Sequence, residues 1–328
     1  MQQRFLGRTG LKVSRLGLGT LTWGRDTDEH EARDQLKGFV EAGGTLLDTA
    51  AGYGDGASEE LIGSLLGDVV SREDVVLATK AGVRRTRGMG VAQRTREINV
   101  SRGNLIRTLD ESLRRLGTDH VDLWQVHTWS DETPWEETLT ALDYAVSTGR
   151  ALYAGVSNYS GWQTAQVATW QRAVPGRALI ASTQVEYSLV NRYAENEIIP
   201  ASRALGLGVL AWSPLGRGVL TGKYRTGTPA DSRAASPHFT DFVGAYLDPR
   251  CARIVEAVAR AAEGLQWSPL EVALAWVRDR PGVSSAIVGA RTAAQLRGSL
   301  TVEECVLPDE IRTALDDVSG PRPAPAAG

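Results

Sequence analysis

Residues 121–127 read VDLWQVH, a short run of branched and large apolar side chains that ends on a histidine. A run so nearly continuous in apolar residues predicts a strand buried on both faces, as in a parallel sheet covered by helices. The same reading extends in both directions. Upstream, residues 74–80 (DVVLATK), 45–48 (TLLD) and 15–19 are strands of this kind, and downstream come 151–157, 180–185, 208–212 and 285–289. Between them lie longer amphipathic stretches. Residues 28–44 open with acids and close on glycines, as helix ends prefer. Residues 101–117 start on a candidate N-cap, Ser101, carry leucines at three- and four-residue intervals and stop at Gly117. Further helices begin near Pro134, Gly161, Glu195, Pro249, Pro269 and Thr292. Eight βα units in series predict the α/β class and a closed (β/α)8 TIM barrel rather than two open sheets.

Two additions frame the barrel. Residues 3–17 (QRFLGRTGLKVSRLG) read as a β-hairpin whose turn holds Gly7 and Gly10, placed to plug the barrel floor. After the seventh strand a long loop rich in Gly, Pro and Ser begins at Ser213-Pro214-Leu215-Gly216 and runs to Leu247, a length that signals function. One barrel domain is expected over residues 1–320, with a disordered tail at 321–328 (PRPAPAAG).

Composition excludes several functions. With 36 basic and 39 acidic residues the net charge is −3, which gives no footprint for nucleic acid. No window approaches a membrane span, and the opening residues lack the apolar core of a signal peptide, so a cytoplasmic protein is expected. Cys251 and Cys305 lack disulfide-framework or zinc-site spacing and read as small buried hydrophobes; no metal site is expected.

The chemistry gathers where apolar strands give out. Asp48 ends TLLD, Lys80 ends VVLATK, His127 ends LWQVH, and Tyr53 follows in the loop TAAGYG. In a barrel those ends converge on one mouth. A tyrosine has a reference pKa near 10, and a neighbouring ammonium such as Lys80 would lower it. Asp48 would hold Lys80, and His127 could donate to a carbonyl oxygen. Each residue alone reads as packing or a structural pair; all four at consecutive strand mouths suit protonating a carbonyl. Carbonyl reduction also needs a hydride donor. No GxGxxG follows a strand, and GRGVLTGKY is not a P-loop, because Arg217 and Tyr224 occupy positions that need Gly and Ser or Thr. What remains for a nicotinamide dinucleotide is an amide-recognising set at Ser157, Asn158 and Gln184, a flat ring at Trp212 beside Ser213, and a helix start over residues 289–295.

With LGRTGLKVSRLGLGT, LLDTAAGYGDGASEELIG, VVLATK, LWQVH, GVSNYS, STQVEYSL, AWSPLGRGVLTGKY and VSSAIVGARTAAQL in order, the chain resembles the aldo-keto reductase superfamily through nearly its whole length. The resemblance implies a barrel that binds NADP(H) without a Rossmann domain. It implies that Tyr53 is the general acid, Lys80 tunes it, Asp48 pairs with Lys80 and His127 orients the substrate carbonyl. Ser157, Asn158 and Gln184 match the carboxamide-holding residues, Trp212 the ring that stacks on nicotinamide, and Gly19 and Thr20 the strand end beside it. The loop Ser213-Pro214-Leu215-Gly216 matches the pyrophosphate loop.

The later stretches look most like the branch containing potassium-channel β-subunits and many bacterial reductases. There Lys223, Arg233, Gly289, Arg291 and Gln295 would fall on the cofactor's phosphates and adenosine. Arg291 near a helix start suits a 2′-phosphate and hence NADPH. Val288 departs from a frequent proline, and Gly298 and Ser299 replace the Glu and Asn that usually contact adenine. Trp23, Trp129 and the loop around His238 and Phe239 are assigned to the mouth that takes a small-molecule carbonyl substrate. The competing expectation is a nucleotide-binding, redox-sensing regulatory subunit with little turnover.

Overall fold

The structure is a computed structural model that describes residues 1–87, 94–225, 227–229, 233–235 and 240–320, by backbone alone at 85–87, 94–96, 233 and 241. The strands are β1 (Gln3–Phe5), β2 (Lys12–Ser14), β3 (Leu16–Gly19), β4 (Leu46–Asp48), β5 (Val76–Ala81), β6 (Val83–Arg87), β7 (Arg94–Ile98), β8 (Val121–Val126), β9 (Ala151–Ser157), β10 (Ile180–Glu186), β11 (Gly208–Trp212) and β12 (Val283–Val288). The helices are α1 (Glu29–Glu41), α2 (Ala57–Leu65), α3 (Arg102–Leu116), α4 (Trp135–Ser147), α5 (Gly161–Ala173), α6 (Ile198–Leu205), α7 (Thr240–Gly244), α8 (Pro249–Leu265), α9 (Pro269–Arg278), α10 (Ala293–Leu300) and α11 (Asp309–Ser319).

Eight strands close into one parallel barrel in the order β3, β4, β5, β8, β9, β10, β11, β12. These are the eight expected strands, with ends shifted by a residue or two. Helices cover the barrel with apolar stripes; α3 buries Leu105, Leu109, Leu113 and Leu116 at four- and three-residue spacing. Each such side chain contributes about 1.5–3 kcal/mol when taken from water. Caps fix the helix ends. Asp28 accepts from the Glu31 N–H at the start of α1, and Ser268 with Glu271 forms a capping box on α9. Ser101 is the N-cap residue of α3 but does not cap it with its side chain. Its hydroxyl instead donates to Asn99 Oδ1 at 2.7 Å, and Glu137 takes the free Arg102 N–H at 2.9 Å.

The N-terminal hairpin β1–β2 is antiparallel and closes the floor as expected. Leu6 and Val13 are fully buried against Leu46, Ala78, Leu123, Leu210 and Ile287 from the barrel strands. Gly7 is required there: its φ is +60°, and a Cβ would stand 2.5 Å from the Gly206 carbonyl oxygen.

A second antiparallel hairpin, β6–β7, follows β5 where no element was expected. The loop after β11 contains 3-10 turns at Gly216–Thr221 and Arg233–Ala235 and the short α7. The proposed tail at 321–328, and His238 and Phe239, lie outside the described residues. Cys251 and Cys305 are buried. No described helix is long and apolar enough to cross a membrane.

Candidate active site at the barrel mouth

Asp48, Lys80 and Gln184 stand at the C-terminal ends of β4, β5 and β10, where period-two alternation turns them into the barrel. All three are buried. Lys80 Nζ lies 2.8 Å from Asp48 Oδ2 and donates to the Thr49 carbonyl oxygen at 2.8 Å; Gln184 Nε2 donates to Asp48 Oδ1 at 2.8 Å. A buried carboxylate is thus held by a cation on one oxygen and an amide on the other.

Above this pair stand Tyr53 and His127. Lys80 Nζ is 5.2 Å from the centroid of the Tyr53 ring, and the Tyr53 and His127 rings meet edge to face at 5.9 Å. Burial pushes the Tyr53 phenol above its usual value near 10, because the opposing charge and hydrogen bond of Lys80 do not fully offset desolvation. The lowered value expected from the ammonium alone is therefore corrected. Lys80 is also raised: burial works against its charge, but Asp48 and then Tyr53 outweigh that.

Tyr53 and His127 face a cavity of about 770 Å³ that runs along the barrel mouth. Its walls include Gly19 at the end of β3 with Thr20 after it, and Ser157, Asn158, Gln184 and Trp212 from β9 to β11. Ser213, Pro214, Leu215 and Lys223 extend it along the following loop, Gly289, Arg291 and Gln295 along the approach to and first turn of α10, and Ser299 near that helix's far end. Asn158 donates to the His127 carbonyl oxygen at 2.9 Å and to Ser157 Oγ at 3.1 Å, while its own Oδ1 accepts from the Trp212 indole at 3.0 Å. One lone pair of that oxygen remains for a ligand. Thr292 caps α10 by accepting from the Gln295 N–H, and Gln295 Oε1 accepts from the Arg291 N–H at 3.0 Å.

Three non-glycine residues of this wall are left-handed: Asn158 (φ 57°), Ser213 (φ 52°) and Arg217 (φ 58°). Such conformations cost of order 1–3 kcal/mol each and gather at functional sites. Arg217 compensates with a two-pronged ion pair to Glu186 at 2.8 and 2.6 Å and a bond to the Phe242 carbonyl oxygen at 2.7 Å. Its guanidinium lies 3.9 Å from the Phe242 ring centroid, and Phe242 stacks at 15° to Trp212. The sequence reading missed Arg217 as a site residue and saw it only as spoiling a P-loop.

Other assignments move. Trp23 does not line the mouth; it is fully buried, and its indole donates to Gln35 Oε1 on α1 at 3.2 Å. Trp129 is not on the cavity wall either: it packs edge to face on Tyr159 and Trp162 and donates to Asp131 at 2.7 Å. Leu21, Arg25, Val83 and Arg84 line the mouth instead. Gly216 is buried in the turn behind the wall, where a Cβ would meet Val190 at 2.6 Å. Arg233 lies in a 3-10 turn, and its side chain is outside the description.

The model of the Aldo/keto reductase family matches residues 15–319. The chain is 36% identical over 334 residues to the uncharacterized oxidoreductase YrpG of Bacillus subtilis, covering 97% of this chain and 96% of that protein. It is 35% identical over 303 residues to a probable voltage-gated potassium channel subunit beta of Oryza sativa subsp. japonica, covering 90% and 89%. It is 32% identical over 304 residues to the L-glyceraldehyde 3-phosphate reductase of Escherichia coli, covering 90% and 86%.

Proposed function

Because the chain belongs to the aldo/keto reductase family of oxidoreductases, we propose that it reduces an aldehyde or ketone to the alcohol with NADPH, Tyr53 giving the proton. The observation that carries this reading is the meeting of Tyr53 and His127 over the buried Asp48–Lys80 pair in one cavity of about 770 Å³ that continues to Lys223 and Arg291. The balance is one carbonyl, one hydride with both electrons and one proton, giving one alcohol. Bound NADPH would supply the hydride.

The residues present fit that group. Asn158 keeps an acceptor and Gln184 an amide beside Asp48 for a carboxamide, and Trp212 offers a flat face already held by the Asn158 and Phe242 contacts. The left-handed turn from Ser213 to Gly218, with Lys223, suits a pyrophosphate, and Arg291 with Gln295 at the start of α10 suits a 2′-phosphate, which favours NADPH over NADH.

In the reaction the substrate oxygen sits between Tyr53 Oη and His127. His127 orients that oxygen by donating a hydrogen bond. The Tyr53 O–H bond breaks as a new O–H bond forms on the product, and the Lys80 ammonium stabilises the phenolate left behind. Asp48 keeps Lys80 charged and aimed, with Gln184 fixing the carboxylate.

The test is NADPH oxidation with 4-nitrobenzaldehyde, comparing the unchanged protein with Tyr53→Phe and running NADH alongside. Turnover that prefers NADPH and falls by roughly 100-fold or more in the variant is expected. The similarity to potassium-channel β-subunits favours a second reading, a nucleotide-bound regulatory subunit. NADPH bound at stoichiometric amounts without turnover on a broad carbonyl panel would favour it.

A further inference from the structure

The basic residues of the cavity wall are more numerous than a dinucleotide needs. Among the described residues, Arg25, Arg84, Arg217, Lys223 and Arg291 line it against one carboxylate, Asp48, in a chain whose net charge is −3. Asp48 is already neutralised by Lys80, Arg217 by Glu186 and Arg25 by Asp26, which leaves Arg84 and Arg291 for a ligand. Lys223 and Arg291 follow β11 and β12, whereas Arg84 follows β5, four places from β11 in the eight-strand ring and so on the opposite arc.

Arg84 belongs to the reacting end. A Cβ on Gly52 would lie 2.5 Å from the Val83 carbonyl oxygen and 4.0 Å from Arg84 Cα, and Gly52 directly precedes Tyr53. Arg84 is exposed, and among the described residues it makes no ion pair, although Glu97 stands opposite it in the hairpin register. Residues 84–97 contain five arginines and one glutamate. The register sets Arg85 opposite Arg96 and Arg87 opposite Arg94. Like charges directly opposite weaken a two-stranded ribbon, and a broken local rule of this kind is expected where function demands it.

We propose that the natural substrate is a carbonyl compound carrying a carboxylate or phosphate, and that Arg84 meets this anionic group at the reacting end of the mouth. This deepens the reductase reading and rests on it. An array of like charges beside a cleft raises the local concentration of an oppositely charged ligand, and its effect weakens with salt.

The test compares 4-carboxybenzaldehyde with its methyl ester, and glycolaldehyde phosphate with glycolaldehyde, by kcat/KM under NADPH. The anionic member of at least one pair is expected to be preferred roughly fivefold or more, through a lower KM, and the pair that responds distinguishes carboxylate from phosphate. Arg84→Gln should lower that ratio by roughly fivefold, Arg84→Lys should keep part of it, and raising the salt from about 0.02 to about 0.5 M should shrink it. Ratios near one in both pairs, or unchanged in Arg84→Gln, would overturn the proposal.

Tryptophan fluorescence titration with 4-(hydroxymethyl)benzoate and its methyl ester, with NADP bound, gives a readout free of turnover. If no carbonyl is reduced, the reductase reading fails. Tighter binding of the anion than of the ester, lost in Arg84→Gln, would still support the anion site, and equal binding would overturn it.

Discussion

Replacing Lys80 by methionine separates what the buried ion pair does for the fold from what it does for the reaction. The Lys80 side chain is 0% exposed and that of Asp48 3%, with 2.8 Å between the charged atoms. Removing the ammonium leaves Asp48 with the Gln184 amide as its remaining side-chain donor among the described residues. Breaking one side of such a pair costs about 3–5 kcal/mol, because an uncompensated charge stays buried or must be neutralised. A chain of this length unfolds with an entropy near 0.7 kcal/mol/K, so the melting midpoint should fall by roughly 4–7 °C. The double variant Asp48→Asn/Lys80→Met removes both charges and should recover most of that loss, since neutral groups of similar volume replace a buried pair at little cost. Activity should not recover. Without Lys80 the phenolate of Tyr53 loses its nearest cation, and kcat for carbonyl reduction should drop by roughly 100-fold or more in both variants. Differential scanning calorimetry and NADPH oxidation read the two quantities separately. A double variant as unstable as the single one, or a single variant within tenfold of full activity, would refute the reasoning.

The raised Tyr53 phenol sets a pH signature: burial outweighs Lys80, so the proton donor stays loaded through neutral and mildly alkaline pH. Reduction should stay level up to the region of pH 10 and fall as pH rises through the folded pKa, while alcohol oxidation, which needs the phenolate, should climb; parallel pH profiles would show whether it does. Gly52→Ala places a methyl 2.5 Å from the Val83 carbonyl oxygen, displaces the Tyr53 loop and should reduce kcat about 100-fold, which steady-state kinetics measures. Acid should destabilise the fold through Glu195 and Asp279. Burial raises both, but Arg192, the Tyr187 hydroxyl and Arg280 beside Glu195, and Arg278 and Arg4 beside Asp279, hold both below the ordinary carboxylate range. Their contribution is present above the unfolded pKa near 4 and lost as pH falls through the lower folded values, so the melting midpoint should drop as pH falls below about 5.

How much of this was legible follows from where apolar period is informative. The barrel strands are buried on both faces, so VDLWQVH and VVLATK announce themselves, and the polar residue at each end falls on the mouth by the pleat. The β6–β7 hairpin has the opposite character: between Val83 and Ile98 its strand residues are Arg, Thr and Glu, no apolar alternation exists, and pattern reading leaves it a loop. Trp23 misleads because it follows a mouth strand, yet the turn closed by the Thr22 and Thr27 hydroxyls at 2.9 Å brings its ring back into the core. The signal that could have found this is Gln35, a polar residue on the apolar stripe of α1 with Ala32, Leu36 and Phe39, which needs a buried partner. Arg217 was hidden because its role depends on a left-handed backbone and on Glu186, 31 residues away in sequence.

The central claim is that hydride from NADPH and the proton of Tyr53 reach one carbonyl in this cavity. Its most direct measurement is a single turnover with NADPH deuterated at nicotinamide C4, reading deuterium at the carbinol carbon and the solvent isotope effect on the rate. Deuterium on that carbon from one face of the nicotinamide, a solvent isotope effect in the unchanged protein and loss of turnover in Tyr53→Phe are expected. Product without deuterium, or a Tyr53→Phe variant that turns over with the same solvent isotope effect, would contradict it.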